Sequence, residues 1–315
     1  MTTPFRPDLS VDYAFLVDHA RWLVDSGCTG IVALGSLGEG ATLRFNEKAE
    51  VLKTLARALD KPVVAGIAAL STAEAVELAR VAEQSGCSGL MVLPPYVYSS
   101  DWREMRAHVE AVLRATTLQC MLYNNPLAYK TDFLPEQIKE LACKHSNLRA
   151  VKESSADVRR VTALKAICGE RLSLLVGVDD LVVEGVRAGA VGWIAGLANA
   201  FPKESVRLFN YALEGEAKKA NELYRRLLPL LRMDTVPKFV QLIKLAQQEA
   251  GRGCERVRPP RLSLAGAERK AALATLRTAL EKSSGSVLTF SAGMEGEVTE
   301  KGAGLAPTLA KRPRV

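Results

Sequence analysis

Histidine is scarce, with only His19, His108 and His145 in 315 residues, and their spacing gathers no pair around a metal ion. Each reads as a helix-face residue, so no metal is expected. The six cysteines (28, 87, 120, 143, 168 and 254) contain no Cys-x-x-Cys pair and no regular framework, which excludes a disulfide scaffold. Cys120 falls inside an apolar run, and reduced thiols in a cytoplasmic protein are the expectation. No apolar stretch is long enough to span a bilayer, and the opening residues lack the apolar region of a signal peptide. No membrane partner is therefore expected. Although the net charge is +7, the excess lies late, around Lys238 to Arg261 and in Lys311-Arg312-Pro313-Arg314. Without a basic face interleaved with aromatics, it reads as solvated surface and excludes a nucleic-acid partner.

What is present is an ordinary globular composition, 48% hydrophobic and 24% charged. Short β-branched runs alternate with helical patterns at a period of about thirty residues, the signature of βα units on a parallel sheet. Strands are predicted at 30–34, 62–67, 89–93, 119–123, 148–152, 172–177 and 190–195. Helical spacing separates them, as in Val51, Leu52, Leu55 and Leu59, or Ala75, Leu78, Ala79 and Ala82. Seven strands with a uniform repeat predict an α/β fold of the (β/α)8 TIM-barrel type, with an open doubly wound sheet as the alternative. The place for the eighth strand is the start of the chain, where Thr3-Pro4-Phe5 reads as the end of a strand that is mostly missing. After residue 195 the rhythm changes. The chain divides into a barrel at 1–200, a helical segment at 201–282 with patterns at 202–231, 235–250 and 264–282, and a Ser/Gly-rich tail at 283–315 that reads as disordered.

In a parallel barrel the chemistry belongs at the C-terminal ends of the strands. One of those ends carries a lysine, in Leu148-Arg149-Ala150-Val151-Lys152-Glu153, and the preceding one carries a tyrosine, in Tyr123-Asn124-Asn125-Pro126. A period of two puts Leu148, Ala150 and Lys152 on one face. A lysine turned into a packed interior is desolvated, which disfavours its charge and leaves a nucleophilic amine. A lysine that only closes its strand at the surface is the alternative. Gly35-Ser36-Leu37-Gly38-Glu39 offers backbone N–H groups and a hydroxyl suited to a carboxylate, or forms a turn without a ligand. The pairing of Lys152 with Tyr123 suggests Schiff-base chemistry on a 2-oxo acid.

In chain order, Gly35-Ser36-Leu37-Gly38-Glu39, Tyr123-Asn124-Asn125-Pro126 and Val151-Lys152-Glu153-Ser154-Ser155 resemble the dihydrodipicolinate synthase/N-acetylneuraminate lyase family, from about residue 3 to 281. The resemblance implies a homotetrameric barrel with no cofactor, in which Lys152 forms an imine with a small-molecule 2-keto acid and Tyr123 shuttles protons. It further implies that Ser36 supplies a hydroxyl beside Tyr123 and that the backbone of Ser36 and Leu37 holds the substrate carboxylate. By the same resemblance Asp179, Gly177 and Gly196 are expected at the substrate, with Asp180 either a further hydroxyl contact or only the cap of the following helix. Several residues depart from the synthases. Ala128 stands where they carry an arginine for the semialdehyde carboxylate, Leu37 replaces a threonine, and Val97, beside Tyr98, replaces a tyrosine. Leu34 to Glu39, Gly177 to Asp180 and the stretch Asp234-Thr235-Val236-Pro237-Lys238-Phe239-Val240-Gln241 are similar to the 1-pyrroline-4-hydroxy-2-carboxylate deaminases of hydroxyproline degradation. The leading expectation is accordingly a class I lyase or deaminase, a hydrolase in that branch, acting on a 2-keto acid or cyclic imino acid. A dihydrodipicolinate synthase or pyruvate-dependent aldolase using the same lysine is the alternative. A non-catalytic keto-acid-binding protein is a reading of another class.

Overall fold

The computed structural model describes residues 1–95 and 101–281. The expected tail at 283–315, and Val97 and Tyr98, lie outside the described residues. Seven parallel strands pair in chain order: β1 (Ile31–Ala33), β2 (Val63–Ile67), β3 (Gly89–Val92), β4 (Gln119–Asn124), β5 (Leu148–Glu153), β6 (Ser173–Val176) and β7 (Gly192–Trp193). Helices α1 (Tyr13–Asp25), α2 (Phe45–Ala58), α3 (Thr72–Gln84), α4 (Trp102–Arg114), the four-residue α5 (Pro126–Tyr129), α6 (Pro135–Lys144), α7 (Arg159–Cys168) and α8 (Val182–Arg187) alternate with them. The barrel-type α/β fold read from the repeat is the fold observed. Helix starts follow local chemistry. Ser71 caps α3 by accepting from the Glu74 amide, and Asp101 and Glu104 satisfy each other's backbone N–H groups at the start of α4.

Among the described residues no eighth strand forms. Residues 1–3 instead lie between β1 and the turn after β7. The Met1 amine donates to the Val32 carbonyl (2.6 Å), and the Thr2 amide donates to Asn199 Oδ1 (2.9 Å). The sheet has apolar clusters on both faces, so its strands are buried on both sides. Ile31, Ala33, Ala65, Leu90, Val92, Leu122, Val151 and Leu174 pack outward against the helices. Val32, Val64, Met91, Met121, Tyr123, Ala150 and Leu175 fill the interior.

Two expectations need correction. Leu148 does not share a face with Ala150: it joins the outer cluster. The β4–β5 register steps from Cys120↔Leu148 to Met121↔Ala150, so Arg149 is an extra, unpaired residue and the alternation restarts at Ala150. The pattern at 202–231 is two helices, α9 (Pro202–Leu213) and α10 (Ala217–Leu231). Gly215, at φ +76°, takes a left-handed conformation that ends α9. Helices α11 (Phe239–Glu249) and α12 (Gly266–Glu281) follow, and together they build a second cluster with Leu208, Leu227, Leu231, Ile243 and Leu276 at its centre. The division into 1–200 and 201–282 remains a proposal, because Val182, Val183 and Leu197 of the barrel share that cluster.

Candidate active site

Restarting the alternation at Ala150 is what turns Lys152 inward. It stands directly beside Tyr123 in the β4–β5 register, and both side chains are buried, 9% and 4% exposed. The lysine Nζ lies 4.1 Å from the centroid of the Tyr123 ring. The strand-closing alternative for Lys152 is excluded by this burial. Glu153 points the other way, as alternation requires. Its carboxylate accepts from Asn124 Nδ2 (3.1 Å) and from the Ser155 amide (2.7 Å), tying the ends of β4 and β5 together behind the lysine.

The Tyr123 hydroxyl accepts from Asn125 Nδ2 (3.0 Å). Tyr129 meets the Tyr123 ring edge-on at 5.9 Å, and its hydroxyl is hydrogen-bonded to Ser36 Oγ. The expected hydroxyl beside Tyr123 is thus relayed: Ser36 bonds Tyr129, not Tyr123. Sequence reasoning missed both Asn125 and Tyr129. The only sequence signal for Tyr129 is its place three residues after Pro126, where the short α5 swings it back over the mouth. Ala128 lies in the same helix, its amide held by Asn125 Oδ1 (3.0 Å), and presents only a methyl group.

Both glycines read as substrate positions make room for side chains. A Cβ on Gly177 would lie 2.7 Å from Lys152 Cε and 1.9 Å from Ser154 Oγ, so the lysine arm crosses the end of β6 only because that residue is glycine. A Cβ on Gly196 would lie 2.1 Å from Asp234 Oδ1 and 2.2 Å from its Cγ. Asp179 is buried, and its carboxylate is committed to holding the turn after β7: Oδ1 accepts from Trp193 Nε1 (3.0 Å) and the Gly196 amide (3.0 Å), Oδ2 from the Leu197 amide (2.7 Å). Burial pushes its carboxyl up to about 6 despite those donors. Asp180 pairs with Arg232 at 3.5 Å instead of capping α8.

Asp234, in the turn between α10 and α11, had no role in the sequence reading. The structure brings it over Gly196 at the mouth, where burial and the neighbouring Asp179 raise its carboxyl well above the ordinary carboxylate range. In sequence it stands only as the first residue of the stretch 234–241, with no chemistry assigned to it. Leu37 packs against the second cluster, beside the turn in which the Glu39 amide donates to the Ser36 carbonyl (3.1 Å). Among the described residues, no group of three or more acidic, cysteine or histidine side chains could hold a metal, and no helix is long and apolar enough to cross a membrane.

Comparison with known proteins places this arrangement among relatives. The sequence matches the Dihydrodipicolinate synthetase family over residues 1–279. It is 32% identical over 260 residues to a 4-hydroxy-tetrahydrodipicolinate synthase of Methanocaldococcus jannaschii, covering 82% of this chain and 89% of the relative. The dihydrodipicolinate synthase of Aquifex aeolicus superposes with a TM-score of 0.84 at 28% identity, covering 90% of this chain and 95% of that one. A prophage protein of the same family from E. coli K12, solved in complex with pyruvate, gives 0.84 at 27% identity over 89% and 96% of the two chains.

Proposed function

Because this chain belongs to the dihydrodipicolinate synthetase family, we propose that it is a lyase in which Lys152 binds a 2-oxo acid, or the equivalent cyclic imino acid, as a protein-bound imine. The observation that carries this reading is a buried lysine amine held against a buried tyrosine at the mouth of the barrel. The amine attacks C2, the carbonyl oxygen leaves as water, and the cationic imine then acidifies C3. Tyr123, fixed by Asn125, carries the protons of these steps. The Ser36–Leu37 turn, at the end of β1, is the proposed seat of the substrate carboxylate. The pyruvate complex of a relative supports the choice of ligand class.

Two continuations share this imine. The names of the relatives support the synthase reading, condensation of the pyruvate enamine with aspartate semialdehyde. One observation favours the second reading: Ala128 offers no cation for the carboxylate of such an acceptor. In that reading Lys152 attacks C2 of 1-pyrroline-4-hydroxy-2-carboxylate and frees the ring nitrogen on C5. The 4-hydroxyl leaves as water to give C3=C4. A proton lost from C5 and one gained at C3, then one moved from nitrogen to C4, shift the double bond to C5=N, and hydrolysis of that imine and of the lysine imine releases ammonia and 2,5-dioxopentanoate. The test supplies pyruvate with aspartate semialdehyde in one assay and the hydroxylated imino acid in another. Ammonia only from the second supports the deaminase; condensation without ammonia makes the chain a synthase; turnover in neither, with no imine on Lys152, refutes the lyase.

A further inference from the structure

The two readings have one atom in common, the oxygen on C4. In condensation it is the aldehyde oxygen, which must gain a proton as the C3–C4 bond forms. In elimination it is the hydroxyl, which must gain a proton as the C4–O bond breaks. We propose that Asp234 is the acid that serves this oxygen, standing across the lysine from Tyr123. The proposal rests on the imine reading above but not on the choice between its continuations.

The placement follows from the strand order. Tyr123 is on β4, Lys152 on β5, Gly177 follows β6 and Gly196 follows β7. The lysine arm lies over Gly177, and the Asp234 carboxyl occupies the space a side chain at residue 196 would fill. An imine on Lys152 is therefore flanked by a phenol on one side and a carboxyl on the other. The tyrosine ring lies against the amine, its centroid 4.1 Å from Nζ, and its hydroxyl suits proton transfers at C2 and C3. The carboxyl is left for the more distant carbon.

The state of the carboxyl fits an acid. Its Oδ1 is sealed from solvent and has no hydrogen-bond partner in the protein. A buried, unpartnered carboxyl oxygen is costly, and a substrate hydroxyl or carbonyl oxygen would relieve it. The groups facing it are Lys152 from β5, Asp179 from the turn after β6, and the Met1 amine. Asp179 already accepts from three N–H donors, so of the two carboxyls it is the one that ionises first. Asp234 consequently keeps its proton. In elimination the electron pair of the C3–H bond forms C3=C4, the C4–O pair takes the Asp234 proton, and water leaves. In condensation the enamine pair forms C3–C4, and the former C=O pair takes the same proton.

The test compares wild type with Asp234→Asn and Asp234→Glu on the full chain. Three readouts are used: borohydride labelling of Lys152 with pyruvate, deuterium exchange at C3 of pyruvate, and turnover of whichever C4 substrate the wild type accepts. The first two need only the imine and Tyr123. Asp234→Asn is expected to retain both within about threefold while losing about 10²–10⁴-fold in turnover, the range for a positioned acid. Asp234→Glu is expected to recover part of it. Wild-type turnover should also fall at high pH as Asp234 ionises, a limb absent from the Asn variant. Undiminished turnover in Asp234→Asn overturns the proposal, as does loss of labelling in Asn with retention in Glu, which would assign the residue to maintaining the pocket. Failure of wild type to label at all refutes the imine reading instead.

Discussion

At the scale of single residues, the proposed chemistry depends on which way two side chains point. Tyr123→Phe removes the hydroxyl held by Asn125 and keeps the ring that packs under Lys152. Turnover should fall about 10²–10⁴-fold, the usual contribution of a positioned acid–base group, while the far-UV spectrum stays unchanged. Unchanged turnover would remove Tyr123 from the mechanism. Lys152 and Tyr123 were legible in the sequence because each ends an apolar strand, where a polar group has no ordinary place. Asp234 was not: the stretch 234–241 stood out as a likeness, but nothing in it pointed its first residue at the lysine. Its significance comes from Gly196, 38 residues earlier, and from the fold that lays one over the other.

At the scale of elements, the turn carrying Ser36 is pinned from far along the chain. Glu39, in a left-handed conformation at φ +53°, receives Lys244 Nζ of α11 at 2.6 Å, with both side chains almost wholly buried. The Arg258 amide donates to its other oxygen at 3.0 Å. Breaking a buried pair on one side strands a charge and costs about 3–5 kcal/mol. Lys244→Met should lower stability to chemical denaturation by that amount, and Glu39→Gln in the same chain should restore part of it. A loss under about 1 kcal/mol would show that the pair does not anchor the turn, since exposed pairs contribute no more than that. The seven strands were legible because apolar runs recur between helical patterns. The extra residue at Arg149 was not, because a bulge depends on the partner strand's register and leaves no mark in the composition of its own. Gly215 did leave a mark, yet the apolar spacing continues through it from α9 into α10 and hides the break.

At the scale of the whole molecule, stability should carry a signature of buried titratable groups. Burial lowers His19 from the ordinary 6.5 to about 4. The unfolded chain takes up a proton there at higher pH than the folded one. Stability from this group is therefore complete above pH 6.5 and lost as pH falls through about 4, by about 3 kcal/mol in all. Asp179 and Asp234, whose carboxyls are raised, act in the opposite sense. Their contribution is present below the ordinary carboxylate range and fades as pH rises through the folded values, near 6 for Asp179. Comparing His19→Gln with wild type isolates the first effect: on going from pH 7 to 4.5 the urea midpoint of wild type should move further in the destabilising direction than that of the variant, and an equal change in both would refute it. All of the proposed chemistry requires an imine on one lysine of this barrel. The most direct measurement is the mass of the full chain after borohydride reduction in the presence of pyruvate, followed by peptide mapping. One reduced pyruvate adduct per chain is expected, on Lys152, and none in Lys152→Ala. An adduct on another lysine, or none on the wild type, would contradict it.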